Sequence, residues 1–121
     1  MSELLRNAID AHIDPRKLRD YALNINHDSG RFKAAFFAQM GYDAENWQLL
    51  ERDIREQHLT TGAERGSASS FGIKYNITAP LVGPNGESRW VTTVWIFRTG
   101  EAFADLVTIE PAKRRRSVED E

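Results

Sequence analysis

Near Phe71 the spacing of apolar residues changes from a helical period to a period of two, which confines the chain to helices followed by a sheet. Beyond this point Phe71, Ile73, Tyr75, Ile77, Ala79 and Leu81 share one side of an extended chain. Gly72, Lys74, Asn76, Thr78 and Pro80 take the other, as a half-covered strand requires. Gly83-Pro84-Asn85-Gly86 reads as a tight turn. In residues 88–97, Trp90, Thr92, Val94 and Ile96 alternate with Val91, Thr93, Trp95 and Phe97. Both faces are apolar, which predicts a central strand. Thr99-Gly100-Glu101 gives the next turn, residues 103–110 a third strand, and Pro111 its stop.

Before Phe71 the pattern is helical. Leu4, Leu5, Ala8 and Ile9 predict a short amphipathic helix over residues 2–12. Asp14 as N-cap and Pro15 at the first turn start a second helix, with Leu18, Tyr21 and Ala22 inward as far as Leu23. Residues 24–30 are a polar loop. Residues 31–40 form the next helix, with Phe32, Ala35, Phe36 and Gln39 or Met40 on one side and Gly41 as its C′ residue. A further helix begins at Asp43 or Ala44 and carries Trp47, Leu50, Ile54 and Gln57 to about His58. Residues 60–70, rich in Gly, Ser, Thr and Ala, read as a flexible connection.

Helices first and a meander second predict an α+β fold. N-terminal helices would pack on one face of a three- to four-stranded antiparallel sheet. One domain is expected over residues 1–111. Residues 112–121, where K-R-R-R gives way to S-V-E-D-E, are expected to be a disordered charged tail.

The net charge is only −2, so any anion-binding surface must be local. No cysteine is present, which excludes disulfides and thiolate metal sites. His12, His27 and His58 lack metal-ligand spacing, so neither a metal nor a cofactor is expected. The N-terminus has no signal-peptide pattern, and no run approaches the ~20 apolar residues of a membrane span. A cytoplasmic location without membrane contact is the expectation.

Chemistry concentrates in N-I-N-H-D-S-G-R-F-K-A-A-F-F, residues 24–37. Metal-independent RNA cleavage needs a base for the 2′-hydroxyl, an acid for the leaving 5′-oxygen and a cation for the charge on phosphorus. His27 carries an imidazole, a side chain that suits either proton role. Lys33 stands in the first turn of a helix whose amides can hold phosphate. Thr93 and Thr108 can donate to phosphate oxygens, and Asn24 and Arg89 are candidate substrate-binding groups. Each residue also has an ordinary reading. His27 can brace its loop, Lys33 can lie along the surface, and the threonines can be plain strand residues.

The run L-x-D-Y-x-L-N-x-x-H-x-x-G-x-x-K-A-x-F-F is carried here by Leu18, Asp20, Tyr21, Leu23, Asn24, His27, Gly30, Lys33, Ala34, Phe36 and Phe37. With L-x-G-P-N-G at residues 81–86 and V-W-I at 94–96, it resembles an uncharacterised bacterial domain family. Members of that family stand alone or close long secreted or phage-associated proteins, which implies a toxin-like module. The layout is also similar to the ribonuclease superfamily of barnase, EndoU, the colicins and RelE. Two departures stand out: Thr92-Thr93 where members tend to have Arg-Thr, and Thr108-Ile109-Glu110 where they tend to end in Tyr.

The resemblance implies a toxin-like, metal-independent ribonuclease-type domain, its activity weakened if the missing Arg and Tyr do chemistry. Its partners would be an RNA substrate and an antitoxin-like inhibitor. The alternative is a non-catalytic protein-interaction module that binds a neighbouring protein partner.

Overall fold

Four antiparallel strands lie side by side in chain order: β1 (Glu64–Ser69), β2 (Gly72–Val82), β3 (Ser88–Arg98) and β4 (Asp105–Pro111). The computed structural model describes residues 3–28 and 30–113. The fold is α+β, with a few helical segments against the sheet. On the covered face Ile77, Ala79 and Leu81 of β2 and Val91, Thr93 and Trp95 of β3 are buried. Thr78 and Thr92, opposite each other in register, are half-buried on the other face and share a hydroxyl hydrogen bond of 2.8 Å.

β1 falls inside the expected flexible connection. Five of its six residues are exposed, so no apolar alternation marks it. Backbone pairing to β2 makes it a strand, with an irregularity between Arg65 and Ala68. Phe71, expected inward, is 76% exposed.

The N-terminal segment also departs from expectation. Only Ala8–Asp10 is helical, as one 3₁₀ turn. Asn7 adopts φ 56°, which interrupts a helix, and its side-chain amide donates to the Ala102 carbonyl at 2.6 Å. Glu3 bridges to Ala63 before β1, and His12 bridges in parallel to Asp105 of β4. This one segment therefore touches chain at both edges of the sheet.

Lys17–Ala22 forms a π-helical segment, with Leu18 and Ala22 buried. Next come α1 (Arg31–Ala38) and α2 (Trp47–Asp53), the latter continuing as a π-helical turn through Ile54–His58. Asp43 accepts the Asn46 N–H at 2.9 Å and Asn46 accepts the Asp43 N–H at 2.8 Å, and α2 begins after this turn, later than expected.

α1 buries Ala34, Phe37 and, beyond its end, Met40, whereas Phe32 is 74% exposed. Lys33 therefore flanks the buried face, which the expected stripe of Phe32, Ala35 and Phe36 did not foresee. The 83–86 turn docks on the end of α1. Asn85 donates to the Gln39 carbonyl at 2.9 Å, and a Cβ on Gly83 would stand 2.3 Å from the Met40 carbonyl oxygen.

Ala112 still donates to the Trp90 carbonyl at 3.0 Å, beyond the last strand. The rest of the expected tail, residues 114–121, lies outside the described residues. Among the described residues no helix is long and apolar enough to cross a membrane.

Candidate functional site

The loop after the π-helical segment is folded around Tyr21. Asn24 stabilises its first turn: its Oδ1 accepts from the Asn26 N–H at 2.9 Å and its Nδ2 donates to the Asp20 carbonyl at 3.2 Å. His27 Nδ1 accepts the Gly30 N–H at 3.0 Å. A Cβ on Gly30 would stand 2.5 Å from the Tyr21 carbonyl oxygen, so only glycine lets the chain pass this closely. The Arg31 N–H then bonds the His27 carbonyl at 2.9 Å, and α1 begins.

These constraints bring three of the expected residues together. Lys33 Nζ donates to Thr108 Oγ1 at 3.1 Å and sits 4.7 Å from the centroid of the Tyr21 ring. The His27 ring meets the same Tyr21 ring edge-on, with centroids 4.8 Å apart. Tyr21, His27, Lys33 and Thr108 are all half-buried. Among the described residues no carboxylate lies within salt-bridge distance of Lys33.

A cavity of about 610 Å³ opens beside them, lined by Asp14, Arg16, Lys17, Tyr21, Val107 and Thr108. Arg16 grips Asp14 through Nε at 3.2 Å and a terminal nitrogen at 2.8 Å. Those hydrogen bonds hold the Asp14 carboxyl at about 2, below the usual carboxylate range. Its negative charge is thus matched by Arg16 and does not oppose a bound anion.

Thr93 and Arg89 stand elsewhere. Arg89 pairs with Glu87 at 2.6 Å, beside the 83–86 turn. Thr93 is fully buried on the covered face, where its Oγ1 accepts Trp95 Nε1–H at 2.9 Å and lies 2.9 Å from His58 Nδ1. His58 Nε2 is 3.3 Å from the Ala79 carbonyl, which can only accept. The assignment that also uses the Thr93 hydroxyl proton runs from Trp95 N–H to Thr93 hydroxyl to His58 Nδ1, with Nε2–H donating to Ala79. It requires a neutral imidazole, and burial lowers the His58 pKa to about 4. Nearby, Tyr42 donates its hydroxyl to the buried Asp53 carboxylate, which Arg52 also bonds at 3.0 Å. Burial, then that bond, pushes the Tyr42 pKa up.

The surface group is a set of donors. Because His27 Nδ1 accepts from Gly30, the neutral ring carries its proton on Nε2. In this tautomer the ring is a donor and not a base. Lys33 offers an ammonium anchored by Thr108. That ammonium suits an anion. Tyr21, expected as a plain inward-facing residue, is the hub, and Lys17 of the cavity wall was not anticipated. The six-residue step from Tyr21 to His27 was the available signal, since a loop that short turns back over its own start.

No curated protein and no solved structure matches the chain at a level that would show a relationship. The model of one family, described as a domain of unknown function (DUF6883), matches residues 4–113, which takes in the sheet, both helices and the Tyr21 cluster alike, and the chain therefore belongs to the DUF6883 family.

Proposed function

We propose that this chain is a toxin-like, ribonuclease-type domain in which the Tyr21 cluster binds an RNA phosphate, with cleavage attenuated. The carrying observation is Lys33, held by Thr108 and Tyr21 beside His27 and facing no carboxylate among the described residues. In such a reaction the 2′-oxygen loses its proton and attacks phosphorus. The 5′-oxygen leaves with a proton, and a 2′,3′-cyclic phosphate forms. Lys33 would stabilise the charge gathering on the phosphoryl oxygens, with the His27 ring packed against the same Tyr21. Attenuation follows from the His27 lone pair being engaged by Gly30, which leaves the ring poorly placed to take the 2′-proton.

The test is binding and cleavage of RNA by the purified protein and by His27→Ala/Lys33→Ala, alongside induced expression of both in bacteria. The native protein should bind RNA and yield a low level of cyclic-phosphate ends. The double variant should bind at least about tenfold more weakly, a loss of about 1.4 kcal/mol. A native protein that neither binds nor cuts RNA, or a double variant that matches it, overturns the reading.

A second reading, a non-catalytic module for a neighbouring protein, draws on β1. This outer strand pairs with β2 along one side and exposes nearly all its side chains. Such an edge can accept an added strand. In that case a partner would slow hydrogen exchange of the β1 amides while the Lys33 variants bound it normally.

A further inference from the structure

The cavity beside Lys33 extends the phosphate reading, on which the following rests. Tyr21 and Thr108, the two residues that hold Lys33, line it, and another part of its wall is Asp14, Arg16 and Lys17 at the start of the π-helical segment. Three cations occur on that wall or next to it. Arg16 is committed to Asp14 at 2.8 Å and Arg19 to Asp20 at 2.8 Å. Lys17 is exposed and forms no ion pair among the described residues. Its charge is the one in that segment available to an outside ligand. The cavity is open to solvent, so a chain can extend beyond it.

We infer that the site takes two successive phosphates of a single-stranded nucleic acid, one at Lys33 and Thr108 and the next at Lys17 across the cavity. The ligand is then a chain and not a mononucleotide. Asp14 acts as a positioning residue that ties Arg16 down and keeps the mouth of the cavity in place. Lys17 contributes charge to ground-state binding and touches no reacting atom. Length of the nucleic acid should therefore matter to affinity, and Lys17 should be the reason.

The experiment uses fluorescein-labelled 2′-O-methyl RNA, which cannot be cleaved, as a dinucleotide and as a hexanucleotide. Affinities of the full chain, Lys17→Gln and Lys33→Gln are measured by anisotropy across a salt series. The hexanucleotide should bind the native chain about tenfold tighter than the dinucleotide. K17Q should erase that advantage, leave the dinucleotide unchanged, and flatten the salt slope by about 0.7, as loss of one single-strand phosphate contact would. K33Q should weaken both probes.

Equal affinity for the two lengths, or a length advantage that survives K17Q, overturns the two-phosphate inference. If dinucleotide binding still depends on Lys33, the phosphate reading itself stands. If neither probe binds, both fail together.

Discussion

The molecule holds two groups of a tyrosine, a histidine and a threonine, and they differ in almost everything except composition. Tyr21, half-buried near the β4 edge, touches both His27 and Lys33, and Lys33 also bonds Thr108. Tyr42, His58 and Thr93 are buried under the helices with Asp53 and Trp95. In the interior the protein supplies the partners, and no buried side-chain nitrogen or oxygen among the described residues lacks one. At the surface the Lys33 charge is met, among the described residues, by a hydroxyl and an aromatic ring. Residue type therefore does not mark a reactive site. What separates them is exposure: the interior groups are sealed among their partners, whereas Lys33 rests on neutral, half-exposed ones.

The comparison breaks most visibly with pH. His58 must be neutral in the fold, and its pKa is lowered from 6.5 to about 4. Between those values the unfolded chain takes up a proton that the folded chain refuses, so stability falls as the pH drops from 6.5 to 4. A shift of this size corresponds to about 3 kcal/mol. Asp14 acts in a separate window, since its stabilising contribution is lost only as pH falls below 3.8. Urea melts across pH 4 to 6.5 should show the decline, and His58→Gln should flatten it. An unchanged slope in H58Q would place the proton uptake elsewhere and remove the interior contrast.

Thr93→Val is the next largest perturbation. Valine keeps the shape but leaves Trp95 Nε1–H without its acceptor and His58 Nδ1 without its donor, both buried. The expected cost is about 2 kcal/mol. RNA binding should be unaffected, because Thr93 does not reach the Tyr21 cluster. Loss of RNA binding with stability intact would move Thr93 from the interior group to the surface one.

The sequence disclosed these two regions unevenly. β2, β3 and the turn between them were legible because a sheet covered on one face writes its burial into alternate residues. β1 was illegible because an exposed edge strand is held by its backbone, and its Gly and Ser residues carry no pattern. The first helix was misread because Leu5 and Ala11 are buried while Ile9 is turned outward by a segment that bridges toward both sheet edges. In the site, His27 and Lys33 stood out through their unusual loop, and Thr108 as a strand threonine. Tyr21 did not stand out, since an aromatic residue at helical spacing reads as core. Thr93 was misleading for the opposite reason: only the covered face of β3, visible once the chain is folded, shows that His58 and Trp95 claim it.

The smallest expected effect sharpens the contrast most directly. Lys33→Gln removes a charge that rests on one hydroxyl bond and one ring contact, both at a half-exposed position. A lysine–aromatic contact at such a site is worth about 0.5–1 kcal/mol. The glutamine amide is one bond shorter than the lysine ammonium, and the half-buried Thr108 hydroxyl can turn to water instead. The unfolding free energy should therefore fall by less than about 1 kcal/mol, well below the interior substitutions. Urea melts of K33Q and T93V side by side make the measurement. A loss in K33Q equal to that in T93V would mean that Lys33 is a structural pin for α1 against β4. A small loss together with weakened RNA binding would mean that the fold holds this charge in place without needing it, as a ligand site requires.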